Sequence, residues 1–223
     1  MPFPRRLIEG YRAFLGERLR HEQDRYRELA ESGQSPEVMM IGCCDSRCAP
    51  EVIFNARPGE LFVVRNIANL VPPYAPDEQA HGVSSALEFG VVALKVKHIV
   101  VLGHARCGGV KAFAEDAAPL TPSDFIGKWM SLMAPAAEKV GPRGERSESE
   151  YLTALEQANV ALSLENLMTF PRLRERVEQG EMTLHGAYFG VATGQLSVRD
   201  PATGRFAQVA TEDYARIFAE PRF

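Results

Sequence analysis

Four cysteines occur in the chain, and all four fall in two short stretches, "IGCCDSRCAP" (41–50) and "GHARCGGV" (103–110), which also carry Asp45, Arg47 and His104. Thiolate and imidazole are ligands that zinc prefers, and His104 and Cys107 lie three apart, on one turn just before a Gly-Gly helix start. Cys43, His104 and Cys107 together make a two-cysteine, one-histidine set with a fourth position open. That pattern belongs to catalytic rather than structural zinc. Asp45 and Arg47 follow Cys43 at steps of two, so in an extended segment these three side chains project to one side and Cys44, Ser46 and Cys48 to the other. A guanidinium can grip a carboxylate through two parallel hydrogen bonds and keep it ionised. Such a carboxylate can accept a hydrogen bond from a hydroxide on the metal and orient it. Taken singly, each residue has a plainer explanation: a buried cysteine is a small apolar core group, and an Asp–Arg pair is a structural ion pair. The joint pattern outweighs those explanations, except at Cys44 and Cys48, which are read as packing or supporting residues.

Two strand ends must meet to build such a site. "EVMMIGCC" (37–44), "ELFVVRN" (60–66) and "HIVVLGH" (98–104) are short continuous apolar runs, the mark of strands buried on both faces. "HGVSSALEFGVVALKV" (81–96) has helical length and a polar face bearing Ser and Glu. Strands alternating with helices imply an α/β fold with a central, mostly parallel sheet and crossover helices. In such sheets sites form at the carboxyl ends of strands, where Cys43 and His104 both lie. Leu7, Ile8, Tyr11, Phe14, Leu15 and Leu19 recur at helical spacing, giving an N-terminal helical arm over residues 1–33. Residues 123–178 read as helical, interrupted by "APAAEKVGPRGERSESE" (134–150), a charged Pro/Gly segment expected to be a surface loop. "LHGAYFGVATGQLSVRD" (184–200) alternates across a turn and reads as an edge strand pair near the C-terminus, with a short helix expected at 212–219. No repeat and no boundary divides the chain, so residues 1–223 are expected to form a single domain.

The bulk composition narrows the class. With 223 residues, 45% of them hydrophobic and 24% charged, the chain can bury a real core. A net charge of -4 lacks the basic footprint of a nucleic-acid binder. No apolar run reaches the roughly 18 residues that span a bilayer, and glutamates interrupt the first segment where a signal peptide needs an apolar core. A cytoplasmic protein is therefore expected, with neither nucleic acid nor membrane as partner, in a reducing compartment that favours metal-bound or catalytic thiols over disulfides.

"CCDSR" fits the pattern C-x-D-S-R, and "HARC" followed by Gly-Gly fits H-x-x-C-G-G. In that order and at that separation the chain resembles the β-class carbonic anhydrases, and "RPGELFVVRNIANLVPPY" (57–74) is similar to their plant-like subgroup. The likeness runs from about Gln34 to Lys111 and returns at "LHGAYF". It implies one zinc per chain, held by Cys43, His104 and Cys107, with Asp45 and Arg47 as the catalytic dyad and the zinc open to solvent. It further implies reversible hydration of carbon dioxide to bicarbonate and a proton by zinc-bound hydroxide. Substrate would be lined by Gln34, by Phe62, and by Phe89 where the family carries tyrosine, so the wall stays apolar and a hydroxyl is lost. Met40 replaces the tryptophan of the bicarbonate-regulated subgroup, so that regulatory pocket is not expected. The resemblance also implies a homodimer or a dimer of dimers, which suits a clasping role for the arm. His81 is a candidate proton shuttle. Two rivals use the same residues: hydrolysis of carbonyl sulfide or carbon disulfide, and a non-catalytic zinc or redox-sensing protein, which would leave Asp45 and Arg47 without a special role.

Overall fold

The apolar runs do become strands. In the computed structural model, which describes residues 3–77, 79–116 and 125–209, they form β1 (Val38–Cys43), β2 (Leu61–Asn66) and β3 (His98–His104). With β4 (Thr183–Phe189), β5 (Leu196–Arg199) and β6 (Phe206–Gln208) they make one sheet in the order β2-β1-β3-β4-β5-β6. The pairs β2/β1, β1/β3 and β3/β4 are parallel, whereas β4/β5 and β5/β6 are antiparallel. Central β1 has strands on both edges and packing on both faces, which is why all of its residues are buried and none is charged. The expected α/β fold with a mostly parallel sheet is thus the observed one. The C-terminal strand pair forms as read, but β4 is an inner strand. Among the described strands the outer ones are β2 and β6, the latter too short for an alternation to be visible in sequence.

Helices supply the crossovers. The arm is α1 (Arg5–Gly16) and α2 (Arg18–Ser32), and neither buries a single residue within the chain. α2 is tied down by Arg18 and Arg25, whose guanidinium groups donate to the carbonyls of Ala56 and Pro58. Leu29 then comes so near Gly59 that an added Cβ there would stand 2.7 Å from it, and Gly59 adopts φ +84°. α3 (Pro50–Ile53) follows β1, and α4 (Gly82–Glu88) continues as a π turn over Phe89–Ala93 on the way to β3. After β3 come α5 (Gly108–Glu115), α6 (Phe125–Met130), α7 (Ala134–Val140), α8 (Glu148–Leu167) and α9 (Pro171–Glu178).

The loop expected at 134–150 is mostly helix instead. Pro135 sits in the first turn of α7, where a missing N–H costs nothing, and Gly141 ends that helix at φ +71°. Ser147 then starts α8 through a capping box: its hydroxyl accepts from the Glu150 N–H at 3.2 Å, while the Glu150 carboxylate accepts from the Ser147 N–H at 2.9 Å. The helix expected at 212–219 lies outside the described residues.

One face of the sheet presents Met39, Ile41, Ile99 and Val101 to Leu87, Val91, Val160, Leu167 and Leu173 of the helices. Each such side chain contributes about 1.5–3 kcal/mol by leaving water. A second cluster sits beneath the strand ends and includes Cys43, Cys107, Ala68, Leu70, Val110, Met130 and Leu155. Among the described residues no helix is long and apolar enough to cross a membrane.

Candidate metal centre

β1 and β3 are parallel neighbours, with Gly42 level with Leu102. Their carboxyl ends therefore deliver Cys43 and His104 side by side. Past β3 the chain turns through Arg106, a non-glycine residue at φ +58°, and reaches Cys107 at the N-cap of α5. That left-handed step costs about 1–2 kcal/mol, and it swings Cys107 back toward the strand end.

The ligand atoms of Cys43, His104 and Cys107 all lie within 4.8 Å of one another, and all three residues are buried. The two sulfurs stand 4.0 Å apart. Two sulfurs on one tetrahedral zinc, each bonded at ~2.3 Å, stand roughly 3.8 Å apart. His104 Nδ1 lies 3.0 Å from the Ala105 carbonyl, an acceptor only, so Nδ1 carries the hydrogen and Nε2 keeps its lone pair. Nε2 is buried and without a hydrogen-bond partner. A buried, orphaned lone pair between two thiols is the environment a thiophilic cation satisfies, and these residues fit zinc.

Electrostatics point the same way. The Cys43 thiol is lowered well below its ordinary value, chiefly by the hydrogen bond from Cys107 and against the cost of burial, with help from the nearby His104 ring and then from the backbone N–H groups of Asp45 and Ala68. Cys107 is pushed up by that same contact and by burial, with the N–H groups of Gly109 and Val110 opposing. The pair thus gives up one proton readily and holds the second, as expected for two thiols sharing one site. Burial alone would lower His104, but the adjoining Cys43 sulfur outweighs it and the net shift is upward.

Asp45 and Arg47 come together as well, though not by strand alternation. The segment is a turn: Asp45 Oδ1 accepts from the Arg47 N–H at 3.0 Å, and the Cys48 N–H donates to the Asp45 carbonyl at 3.0 Å. Arg47 Nε and Nη2 then donate to Asp45 Oδ1 and Oδ2 at 2.9 and 2.6 Å. The guanidinium holds the Asp45 carboxyl well below the usual carboxylate range. Arg47 also donates to the Arg106 carbonyl at 3.2 Å, joining the two cysteine-bearing loops. Cys48 is buried, and burial pushes its thiol up to about 11; Cys44 is exposed, so the packing explanation suits only the former.

The expected substrate walls lie elsewhere in the chain. Phe62 and Phe89 do meet, with ring centroids 5.9 Å apart, and Phe89 is half exposed. Phe62 is level with Met39, however, whereas Asn66 is level with Cys43. Four strand steps, roughly 13 Å, separate those levels. Gln34 is exposed on the segment leading into the amino end of β1. One chain does not gather these three residues around its own cysteines.

Two residues that hold the centre escaped the sequence reading. Arg65 donates to the carbonyls of Cys43 and Asp45 at 2.8 and 2.7 Å, pinning the turn from β2. Glu156, buried on α8, accepts from the Cys107 N–H at 2.9 Å and from the Tyr188 hydroxyl at 2.5 Å. Burial pushes the Glu156 carboxyl up. Its position among polar and apolar α8 residues looks like a solvated helix face in sequence.

Comparison with known proteins places the site in context. Residues 38–196 match the family model described as "Carbonic anhydrase". A Pseudomonas aeruginosa carbonic anhydrase is 35% identical over 218 residues, 97% of each chain. Beta carbonic anhydrase 3 of Arabidopsis thaliana is 37% identical over 198 residues, covering 86% of this chain and 75% of that one. Among solved structures, one of two tetrameric beta-carbonic anhydrases of the ascomycete Sordaria macrospora superposes with a TM-score of 0.74 at 30% identity, covering 90% of this chain and 96% of that one.

Proposed function

The chain belongs to the β-class carbonic anhydrase family, and from that premise we propose that it hydrates carbon dioxide to bicarbonate and a proton at one zinc per chain, held by Cys43, His104 and Cys107. The observation that carries the reading is the buried Cys43–His104–Cys107 cluster, with its orphaned Nε2, beside a carboxylate held ionised. Zinc bound there would supply a hydroxide nucleophile near neutral pH by acidifying water, which it brings to about 7 in the best-studied zinc hydrase.

The chain's own residues do the positioning. Arg47 grips both oxygens of Asp45, and Arg65 fixes the backbone behind it. Oδ1 already accepts two bonds from Arg47, whereas Oδ2 accepts one, so Oδ2 can accept the O–H of the nucleophile and turn the nucleophile's lone pairs toward carbon dioxide. Attack on the carbon gives bicarbonate, and the proton lost from the original water passes to solvent buffer.

Carbon dioxide needs an apolar wall, which we assign to Phe62 and Phe89, with Gln34, of a second copy of the chain. Three observations support a homodimer or a dimer of dimers. α1 buries no residue and leaves Leu7, Ile8, Tyr11 and Leu15 exposed. β2, an unpaired edge among the described strands, is half buried along its whole apolar length. The Sordaria relatives are tetrameric.

Stopped-flow hydration of carbon dioxide by metal-analysed protein tests the proposal. We expect rapid turnover that rises from about pH 7 to 9, around the range for zinc-bound water. A rate that falls over that range refutes it.

A further inference from the structure

α8 packs Leu155, Val160, Leu162 and Leu167 into the core, yet its residues Glu156, Asn159, Ser163 and Asn166, at steps of three, four and three, make a polar stripe on the same helix. Glu156, Asn159 and Ser163 are 3%, 1% and 0% exposed, so this is not a solvated face. Among the described residues Glu156 is the only buried carboxylate. A helix serving only the core would do better with apolar residues here, because a buried carboxylate loses its hydration.

Every member of the stripe is spent on a strand-end loop. Glu156 takes the Cys107 N–H at 2.9 Å. Asn159 Nδ2 donates to the Ala68 carbonyl at 2.7 Å. Ser163 Oγ accepts from the Val71 N–H and donates to the Asn69 carbonyl, both at 3.2 Å, and Asn166 donates to the Val71 carbonyl at 2.8 Å. The loop so held is strained, with Ala68 at φ +62° and Asn69 at φ +48°, neither of them glycine. In that conformation Ala68 packs in the same buried cluster as Cys43. The two loops that face the two sulfurs are therefore fastened one turn apart on a single helix.

We propose that Glu156 and Asn159 are positioning residues of the metal centre: together they set the separation of two sulfurs that arrive from different strands. The proposal rests on the zinc reading above. Outer residues of this kind cost about 10–100-fold in metal affinity or activity when removed.

The test is chelator competition for zinc on the full chain, together with the visible spectrum of its cobalt(II) form. Glu156→Ala and Asn159→Leu, the latter keeping core volume, should each weaken zinc by about tenfold or more and shift the cobalt bands. Glu156→Gln, whose amide oxygen can still accept from the Cys107 N–H, should recover most of the affinity. Should Glu156→Ala fail to fold, Tyr188→Phe removes the 2.5 Å bond alone and should weaken zinc several-fold. Folded Ala and Leu variants, or Tyr188→Phe in their place, that compete for zinc like the parent would overturn the inference while leaving the zinc reading intact. A parent chain that holds no zinc would instead remove that reading, and this inference with it.

Discussion

The two ends of the parallel sheet are built to different degrees of completion. At the carboxyl end the ligand atoms of Cys43, His104 and Cys107 cluster, and Asp45 bonds Arg47, which ties to the Arg106 carbonyl; Arg65 and Glu156 brace them, all in one chain. Toward the amino end Gln34, Phe62 and Phe89 lie with no catalytic group of their own chain, near an arm that buries nothing. Metal chemistry needs tolerances of tenths of an ångström, which covalent continuity and hydrogen bonds supply within one chain. An apolar wall tolerates the looser fit of an interface. On the proposed function, the difference would put reactivity within the subunit and substrate contact between subunits.

The largest effect should come from breaking the complete end. Cys43→Ser and Cys107→Ser should each lose zinc by elemental analysis and lose hydration to the limit of detection, with reduced stability because metal binding energy is folding energy. Stoichiometric zinc in both variants would reject the ligand assignment. Asp45→Asn comes next: zinc should stay, while turnover should drop by about 10²–10⁴-fold, the range for a positioned proton-transfer partner. Near-normal turnover there would make the Asp45–Arg47 pair structural.

Breaking the incomplete end should cost less. Phe62→Ala should lower kcat/KM by roughly tenfold with zinc retained. The informative form is a mixture. The isolated mixed dimer of a Cys43→Ser and a Phe62→Ala chain should recover parental kcat/KM per bound zinc if, as proposed, its intact metal site faces Phe62 of the other chain. If the wall belonged to the same subunit, mixing would recover nothing.

The smallest effect concerns His98 and His185, whose ring nitrogens meet at 3.2 Å across β3 and β4. Burial, and then the charge of His98, lower His185 from its ordinary 6.5. Above that value folded and unfolded chains both carry it neutral; below it the unfolded chain binds the proton more readily, so stability should fall as pH drops. Melting temperatures between about pH 7 and 5 should decline slightly more for the parent than for His185→Asn, and identical slopes would contradict this.

Sequence made the complete end legible because its chemistry is local. Strand runs, the His-x-x-Cys spacing and the Gly-Gly start each announce themselves within a few residues, and parallel pairing does the rest. The turn at Asp45–Cys48 was not legible as a turn, since alternating polarity reads equally well as extended chain. Left-handed Ala68, Asn69 and Arg106 carry no glycine to betray them, being held by Asn159, Ser163 and tertiary packing. α7 was hidden by a proline that helices accept in their first turn. The separation of Phe62 from Cys43 follows only from strand register, which no local pattern discloses.

The most direct trial of the central claim is to strip the protein with chelator, return zinc in measured steps, and follow carbon dioxide hydration at each occupancy. The account predicts negligible hydration without metal and a rate that rises linearly to a plateau at one zinc per chain. Full hydration by the stripped protein, or a plateau reached with zinc bound to a Cys43→Ser variant, would contradict it.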